Sequence, residues 1–204
     1  MEIGFLVVLL LAVFMTIWYA IAKRMNLKRQ NELWRALSPY IKGYTRKVGF
    51  RRFGSSGFQI SFHGKSPLFK VEVTFVLMDR ENFLHYIFQK ASGKKDEVYL
   101  KASFSCNPSF RLSSTGDGLK PLEWGILGDL RFFSDDASKA ARILLNSEIK
   151  ELFDRIKVKG LSISKEEPHL IMRCDVEEDT LKLLVPLAEK IASACCPNDR
   201  KDRL

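Results

Sequence analysis

Residues 3–24 read IGFLVVLLLAVFMTIWYAIAKR, twenty positions without a charge followed by Lys23-Arg24. Twenty helical residues rise about 30 Å, the thickness of a bilayer's hydrocarbon core, so the stretch predicts one transmembrane helix. A cleaved secretory signal wants positive charge ahead of a shorter apolar region. Here Met1-Glu2 come first and the positive charge follows. Trp18 and Tyr19 stand near the inner end, where amphipathic rings favour the headgroup layer; with Lys23 and Arg24 they form the expected membrane interface. The positive-inside rule then puts the short N-terminus outside and residues 23–204 in the cytoplasm.

Charge sorts by position in the same way. The chain has 204 residues, 33 Lys+Arg against 24 Asp+Glu, and a net charge of +9, with 46% hydrophobic residues. That is too apolar for a disordered chain and too charged for a multi-span membrane protein. From Lys23 to Arg52 ten basic residues face one acid, Glu32, while residues 53–204 hold 23 basic and 22 acidic residues. The excess belongs first to membrane topology, and the near-neutral remainder argues against an extended nucleic-acid surface there.

On a helical wheel Arg24, Lys28, Arg35, Lys42 and Arg46 fall within about 40°, a basic stripe. Leu27, Trp34, Leu37, Ile41, Tyr44 and Val48 fill a separate apolar arc of about 100°. This predicts an amphipathic juxtamembrane helix over 23–53. Ser38-Pro39 either interrupts it or starts a second helix, with Ser38 as cap and Pro39 at the first position. The stripe has three readings: a solvated topology signal, attraction to anionic lipid headgroups, and contact with RNA phosphates.

Beyond residue 53 the pattern alternates. Phe58, Ile60 and Phe62, then Phe69 to Leu77, predict an antiparallel hairpin around the turn 63–67. Asp79 is the expected cap of a helix carrying Phe83, Tyr86, Ile87 and Phe88. A strand from Val98 to Cys106 follows, Phe110 to Leu112 continue a meander, and 113–128 read as turn and loop. Leu130 to Phe133 make a short strand ending in the N-cap signature Ser134-Asp135-Asp136, and a helix runs on to Asn146. Ser147 is the expected cap of the next helix. Leu161 and Ile163 pair with Leu170, Met172 and Cys174 across 165–168, and the last helix buries Leu181, Leu184, Leu187, Ala188 and Ile191. The fold class is α+β: a transmembrane helix (1–22), the juxtamembrane helix (23–53), a cytoplasmic domain of antiparallel hairpins alternating with helices, covered on one face (54–197), and a tail (198–204).

No motif states a chemical activity. Gly64-Lys65-Ser66 lacks the earlier glycine of a phosphate loop, since position 59 is Gln59, and Pro67 follows where a helix must start. His63, His85 and His169 are isolated and make no metal-ligand set. Helix capping accounts for Asp135 and Asp136. Cys106, Cys174, Cys195 and Cys196 form no CxxC pair, and neighbouring cysteines rarely bridge each other, so reduced thiols in a cytoplasmic domain are expected. Lys201-Asp202-Arg203-Leu204 is one mismatch from a luminal retrieval signal, which the charge asymmetry contradicts. The expectation is a non-enzymatic binding or assembly domain with no cofactor and no small-molecule substrate.

The order of elements resembles the calumin-like coiled-coil-domain-containing membrane proteins, partners of Asterix in the chaperone complex of the multipass translocon. The likeness runs through the apolar span, the basic exit, Asn31-Glu32-Leu33-Trp34 leading to Val48-Gly49-Phe50, and Phe69 to Leu77 with the helix Glu81 to Lys90. It continues through the strand from Val98, the Ser134-Asp135-Asp136 helix and Leu183-Leu184-Val185-Pro186-Leu187. It implies a cytoplasmic domain held near ribosome and translocon that helps insert or shield hydrophilic transmembrane segments. The family's acidic segment before the span and its basic coiled coil after the domain have no counterpart in these 204 residues. The expected partners are therefore the lipid bilayer, the translocon or ribosome, and anionic headgroups.

Overall fold

The computed structural model describes residues 2–45, 47–116 and 118–196. A single helix, α1 (Glu2–Lys42), carries the apolar stretch and continues without a break into the domain. Pro39 sits in its last turn and leaves the Arg35 carbonyl without an amide partner; the Ser38 hydroxyl donates to that carbonyl instead, at 3.4 Å. Ser38 therefore starts no second helix. Val48–Arg52, counted above with the juxtamembrane helix, form an edge strand, β1.

The remaining elements are β2 (Gly57–His63), β3 (Leu68–Val76), α2 (Phe83–Ala91), β4 (Glu97–Phe104), β5 (Leu112–Ser113), β6 (Lys120–Leu127), β7 (Leu130–Ser134), α3 (Ala137–Leu144), α4 (Ser147–Arg155), β8 (Val158–Ile163), β9 (Leu170–Asp175) and α5 (Glu178–Cys195). The strands form one sheet in the order β1-β2-β3-β4-β9-β8-β5-β7-β6, antiparallel at every pairing. This is a mixed helix and antiparallel-sheet protein, α+β, with a long apolar N-terminal helix.

Register aligns the alternating residues into one apolar face. Phe58 faces Phe75, which faces Val98, which faces Cys174; in the next row Ile60, Val73, Leu100 and Met172 line up. All eight are fully buried. Leu33, Leu37 and Ile41 of α1, with Leu184, Leu187, Ala188 and Ile191 of α5, cover this face. Trp34 meets Phe50 edge-on at 5.6 Å, and Phe50, Phe58 and Phe75 stack in sequence at 5.4 and 4.7 Å, tying α1 to the sheet through β1. Gly57 is required where it stands, because a Cβ there would lie 2.2 Å from the Phe75 carbonyl oxygen.

Several local expectations change. The cap of α2 is Asn82, whose side chain accepts from the His85 amide; Asp79 stands one turn earlier and accepts from the Asn82 amide. Asp136 caps α3 as expected, but α4 is capped by Asn146, which accepts from the amides of Glu148 and Ile149, and not by Ser147. Residues 120–127, read as loop, are the edge strand β6. Residue 197 and the tail 198–204 lie outside the described residues.

Candidate membrane interface

Among the described residues, α1 is the one helix long and apolar enough to cross a membrane, with a mean hydropathy of 2.6 over its most apolar window, only 6% of which is buried. A core helix of the same composition would be covered by its own protein. Covering starts at Ala22 and proceeds through Asn26, Gln30, Leu33, Leu37 and Ile41, each fully or almost fully buried. The spacing of four, four, three, four and four keeps these residues on one face. Leu37 and Ile41 were expected in that face, whereas Leu27 and Trp34 are half-buried flanks and Tyr44 and Val48 lie past the helix end.

Two of the buried positions are polar, and both are bonded to the domain. The Asn26 side-chain oxygen accepts from Arg80 Nη1 at 2.7 Å, and Gln30 Nε2 donates to the Gly54 carbonyl at 3.1 Å. Arg80 Nη2 in turn reaches both oxygens of Asp96 at 3.1 and 3.2 Å. Asp96 also accepts from the Met78 amide at 2.9 Å and from Arg29 Nε at 3.2 Å. Buried charges persist only when paired and hydrogen-bonded; here Arg80 and Asp96 pair within the domain, and α1 completes their shell with the Asn26 oxygen and the Arg29 guanidinium. If the helix left the sheet, Arg80 would lose the Asn26 oxygen and Asp96 would lose Arg29, while Arg80 and Asp96, both on the domain, would keep each other.

The expected interface residues divide. Trp18 is half-buried: its indole N–H donates to the Arg80 carbonyl at 2.9 Å, and its ring packs on Phe83 at 4.8 Å and Tyr86 at 6.0 Å. Phe14, one turn deeper in the apolar half, meets the same Phe83 ring edge-on at 5.1 Å. Tyr19, Lys23 and Arg24 are exposed, with the Lys23 ammonium 5.9 Å from the Tyr19 ring centroid. The basic stripe residues Arg24, Lys28, Arg35 and Lys42 are all exposed, and Arg46 lies outside the described residues. Measured along α1 at 1.5 Å per residue, Lys28, Arg35 and Lys42 stand about 6, 16 and 27 Å beyond Arg24. The stripe is a ladder up the helix, with its far end beside a groove of about 540 Å³ lined by Trp34, Ser38, Ile41, Lys42, Thr45 and Val48.

Asn26, Gln30, Phe83, Arg80 and Asp96 were not anticipated. Asn26 and Gln30 lower the apolar periodicity that the wheel scores, and Arg80 and Asp96 read as surface charges until a partner is in view. The only sequence signal was the placement of two amides on the face opposite the basic stripe.

The thiols depart from expectation. Cys106, after β4, and Cys196, at the end of α5, form a disulfide across 90 residues of sequence, so the four cysteines are not all reduced. Sequence spacing held no trace of it, because the pair is brought together only when α5 has packed on the sheet. The free thiols are inert: burial pushes Cys174, beside Asp175, and Cys195 up to about 12.

The uncovered face of the sheet is polar. Arg173 forms two hydrogen bonds to Glu97 at 3.1 and 2.7 Å, and Lys159 reaches Asp175 at 2.6 Å. Burial pushes the Glu97 carboxyl up, but Arg173, Tyr99 and Lys159 together hold it below the usual carboxylate range. His169 is buried and its Nδ1 accepts from the Phe104 amide at 2.8 Å, a packing role, while His85 is exposed beside Asp79. No group of three or more metal-ligating side chains occurs among the described residues. No protein-family model matches the chain, and no curated protein is significantly similar to it.

Proposed function

We propose that this chain is a single-pass, membrane-anchored binding and assembly domain whose span and cytoplasmic body form one rigid unit. The observation that carries the reading is the continuity of α1: uncovered and apolar over its first half, buried in the domain from Ala22 to Ile41. A segment whose continuation is a core element, and which itself packs through Phe14 and Trp18 on Phe83, is an anchor and not a removable leader.

The position of the basic stripe favours a protein or ribonucleoprotein partner over lipid. A membrane's surface potential decays within a Debye length, about 8 Å at physiological salt. Of the stripe, only Arg24 and Lys28 stand that close to the apolar boundary; Arg35 and Lys42 are about two and more than three Debye lengths away. Their cations serve an acidic partner that approaches beside the membrane. Assistance to membrane-protein insertion at the translocon, implied by the resemblance to calumin-like proteins, is the specific form of this reading. The Lys23–Arg52 charge excess supports a cytoplasmic domain. The Cys106–Cys196 pair is chemistry of oxidising compartments and pulls the other way. Charge acts first, during insertion, and in a reducing cytoplasm the same two residues would stand as neighbouring thiols.

The test is association of the full-length protein, reconstituted in nanodiscs, with ribosome–translocon complexes over a salt series. Binding at low salt that weakens as salt rises, and weakens further in Arg35→Glu/Lys42→Glu, supports the insertion role. No association at any salt sinks it. Protease protection in sealed vesicles reads the side of the domain directly.

A further inference from the structure

α2 is inside out. At 100° per residue Phe83, Ile87, Ala91, Leu84 and Phe88 occupy one arc of about 140°. An amphipathic helix on a soluble domain turns such an arc inward. Here the buried residue of α2 is polar: Gln89, 7% exposed, whose Oε1 accepts from the Asp79 amide at 3.1 Å. The apolar arc faces away from the domain, leaving Phe88 79%, Leu84 67% and Ile87 48% exposed. Three large side chains in adjacent turns form a contiguous patch of the kind that marks a contact surface.

The occupant follows from what lies beside the patch. Phe83, at one border of the arc, packs on Phe14 and Trp18 of α1, so the exposed face of α2 continues the uncovered apolar surface of the anchor. Trp18 and Phe14 precede Lys23 by five and nine residues, about 7.5 and about 14 Å along the helix. Interfacial helices bury their apolar face about 5–10 Å into the headgroup and acyl boundary, a depth that the Trp18 contact matches and the Phe14 contact passes by about 4 Å. Exposed Lys90 and Lys94, at and just beyond its C-terminal end, supply the cations such helices carry toward headgroups.

We propose that α2 is a second membrane-contacting element, lying in the interfacial layer with Leu84, Ile87 and Phe88 among lipid acyl chains beside the span. The proposal rests on α1 being a transmembrane anchor. Two contacts at separate points, one vertical and one lateral, set the tilt of the domain on the bilayer, which a single span does not.

The experiment uses the full-length protein in nanodiscs of phosphatidylcholine and phosphatidylglycerol, with Cys174→Ala, Cys195→Ala, Cys106→Ser and Cys196→Ser as background, so that the introduced cysteine is the one thiol. A nitroxide is placed by Leu84→Cys, Phe88→Cys, Leu9→Cys in the span, or Lys150→Cys on α4, one at a time. Relaxation by oxygen, which partitions into lipid, is compared with relaxation by a water-soluble nickel chelate. Positions 84 and 88 are expected to match position 9, with an oxygen-to-nickel ratio several-fold above that at position 150. A ratio at 84 and 88 equal to that at 150, with position 9 still in lipid, overturns the proposal and leaves the anchor standing. Nickel access at position 9 overturns the anchor itself. Protection of 84 and 88 from both reagents means that protein, not lipid, covers the patch, and also overturns the proposal.

Discussion

Removing the Asp96 carboxylate tests the buried polar cluster on which α1 docks. Asp96 is the shared acceptor for two arginines on different elements and for one main-chain amide. In Asp96→Ala, Arg80, whose side chain is 10% exposed, keeps only the Asn26 oxygen, and the Met78 amide loses its acceptor. Breaking one side of a buried pair costs about 3–5 kcal/mol because the remaining charge stays desolvated. Against a typical domain stability of about 5–15 kcal/mol, that is a large share of the total. Unfolding by urea in detergent, followed through tryptophan fluorescence, measures it. Asp96→Asn retains an acceptor for Met78 and should lose less, about 1.5–3 kcal/mol. The paired replacement Asp96→Leu/Arg80→Met removes both charges and should recover much of the single-variant loss. A loss below about 1 kcal/mol for Asp96→Ala, or no recovery in the paired variant, would refute the claim that desolvated charge holds this junction.

Gly57→Ala should destabilise by about 1–3 kcal/mol in the same unfolding assay, since its new Cβ meets the main-chain oxygen of Phe75, which cannot move aside without breaking the β2–β3 ladder. Tyr44 donates to Glu189 at 3.0 Å, and burial, then Glu189, push its phenol up to about 12. The folded state thus prefers the neutral phenol, and this contribution is complete below pH about 10 and disappears as pH rises through about 12. Tyr44→Phe should remove the highest-pH step from the phenolate absorbance titration. Glu97 is held low in the folded state, so its contribution is present above the ordinary glutamate range and falls away on acidification through the lowered value. Arg173→Met should flatten that acid limb of the stability curve. Cys106→Ser opens a bridge spanning 90 residues and should lower stability by about 2–4 kcal/mol under oxidising conditions, with no effect once the wild type is reduced.

What the sequence disclosed follows from where burial leaves a periodic trace. β2, β3, β4, β8 and β9 each bury alternate residues, and their hairpins and the α+β class were legible for that reason. β1 and β6 were not. Both are sheet edges whose side chains stay largely exposed: Arg51 and Arg52 in one, Pro121, Trp124 and Ile126 in the other. Within the candidate interface, Trp18, Tyr19, Lys23 and Arg24 were named from residue type alone, and the structure adds a packing partner for Trp18, which bonds Arg80 and packs on Phe83. Asn26, Gln30, Arg80 and Asp96 were hidden because a buried polar residue is recognisable only beside its partner. α2 marks a different limit. The wheel identifies which side chains share a face and is silent on whether that face meets protein or lipid.

The unbroken α1 makes its apolar half and its domain-bound half parts of the same screw. Between Trp18, committed to Phe83, and Ala22, the first fully buried residue of α1, there is little more than one helical turn. One residue inserted there would advance the span by about 1.5 Å and rotate it by about 100° relative to the body. The aromatic contact and the buried Asn26–Gln30 face would then be out of phase, and no loop is present to absorb the difference. Length can therefore change at the outer end of α1, toward Ile3, without disturbing any contact with the domain, whereas between Trp18 and Ala22 even a phase-restoring insertion of about seven residues would carry Trp18 about 10 Å away from Phe83.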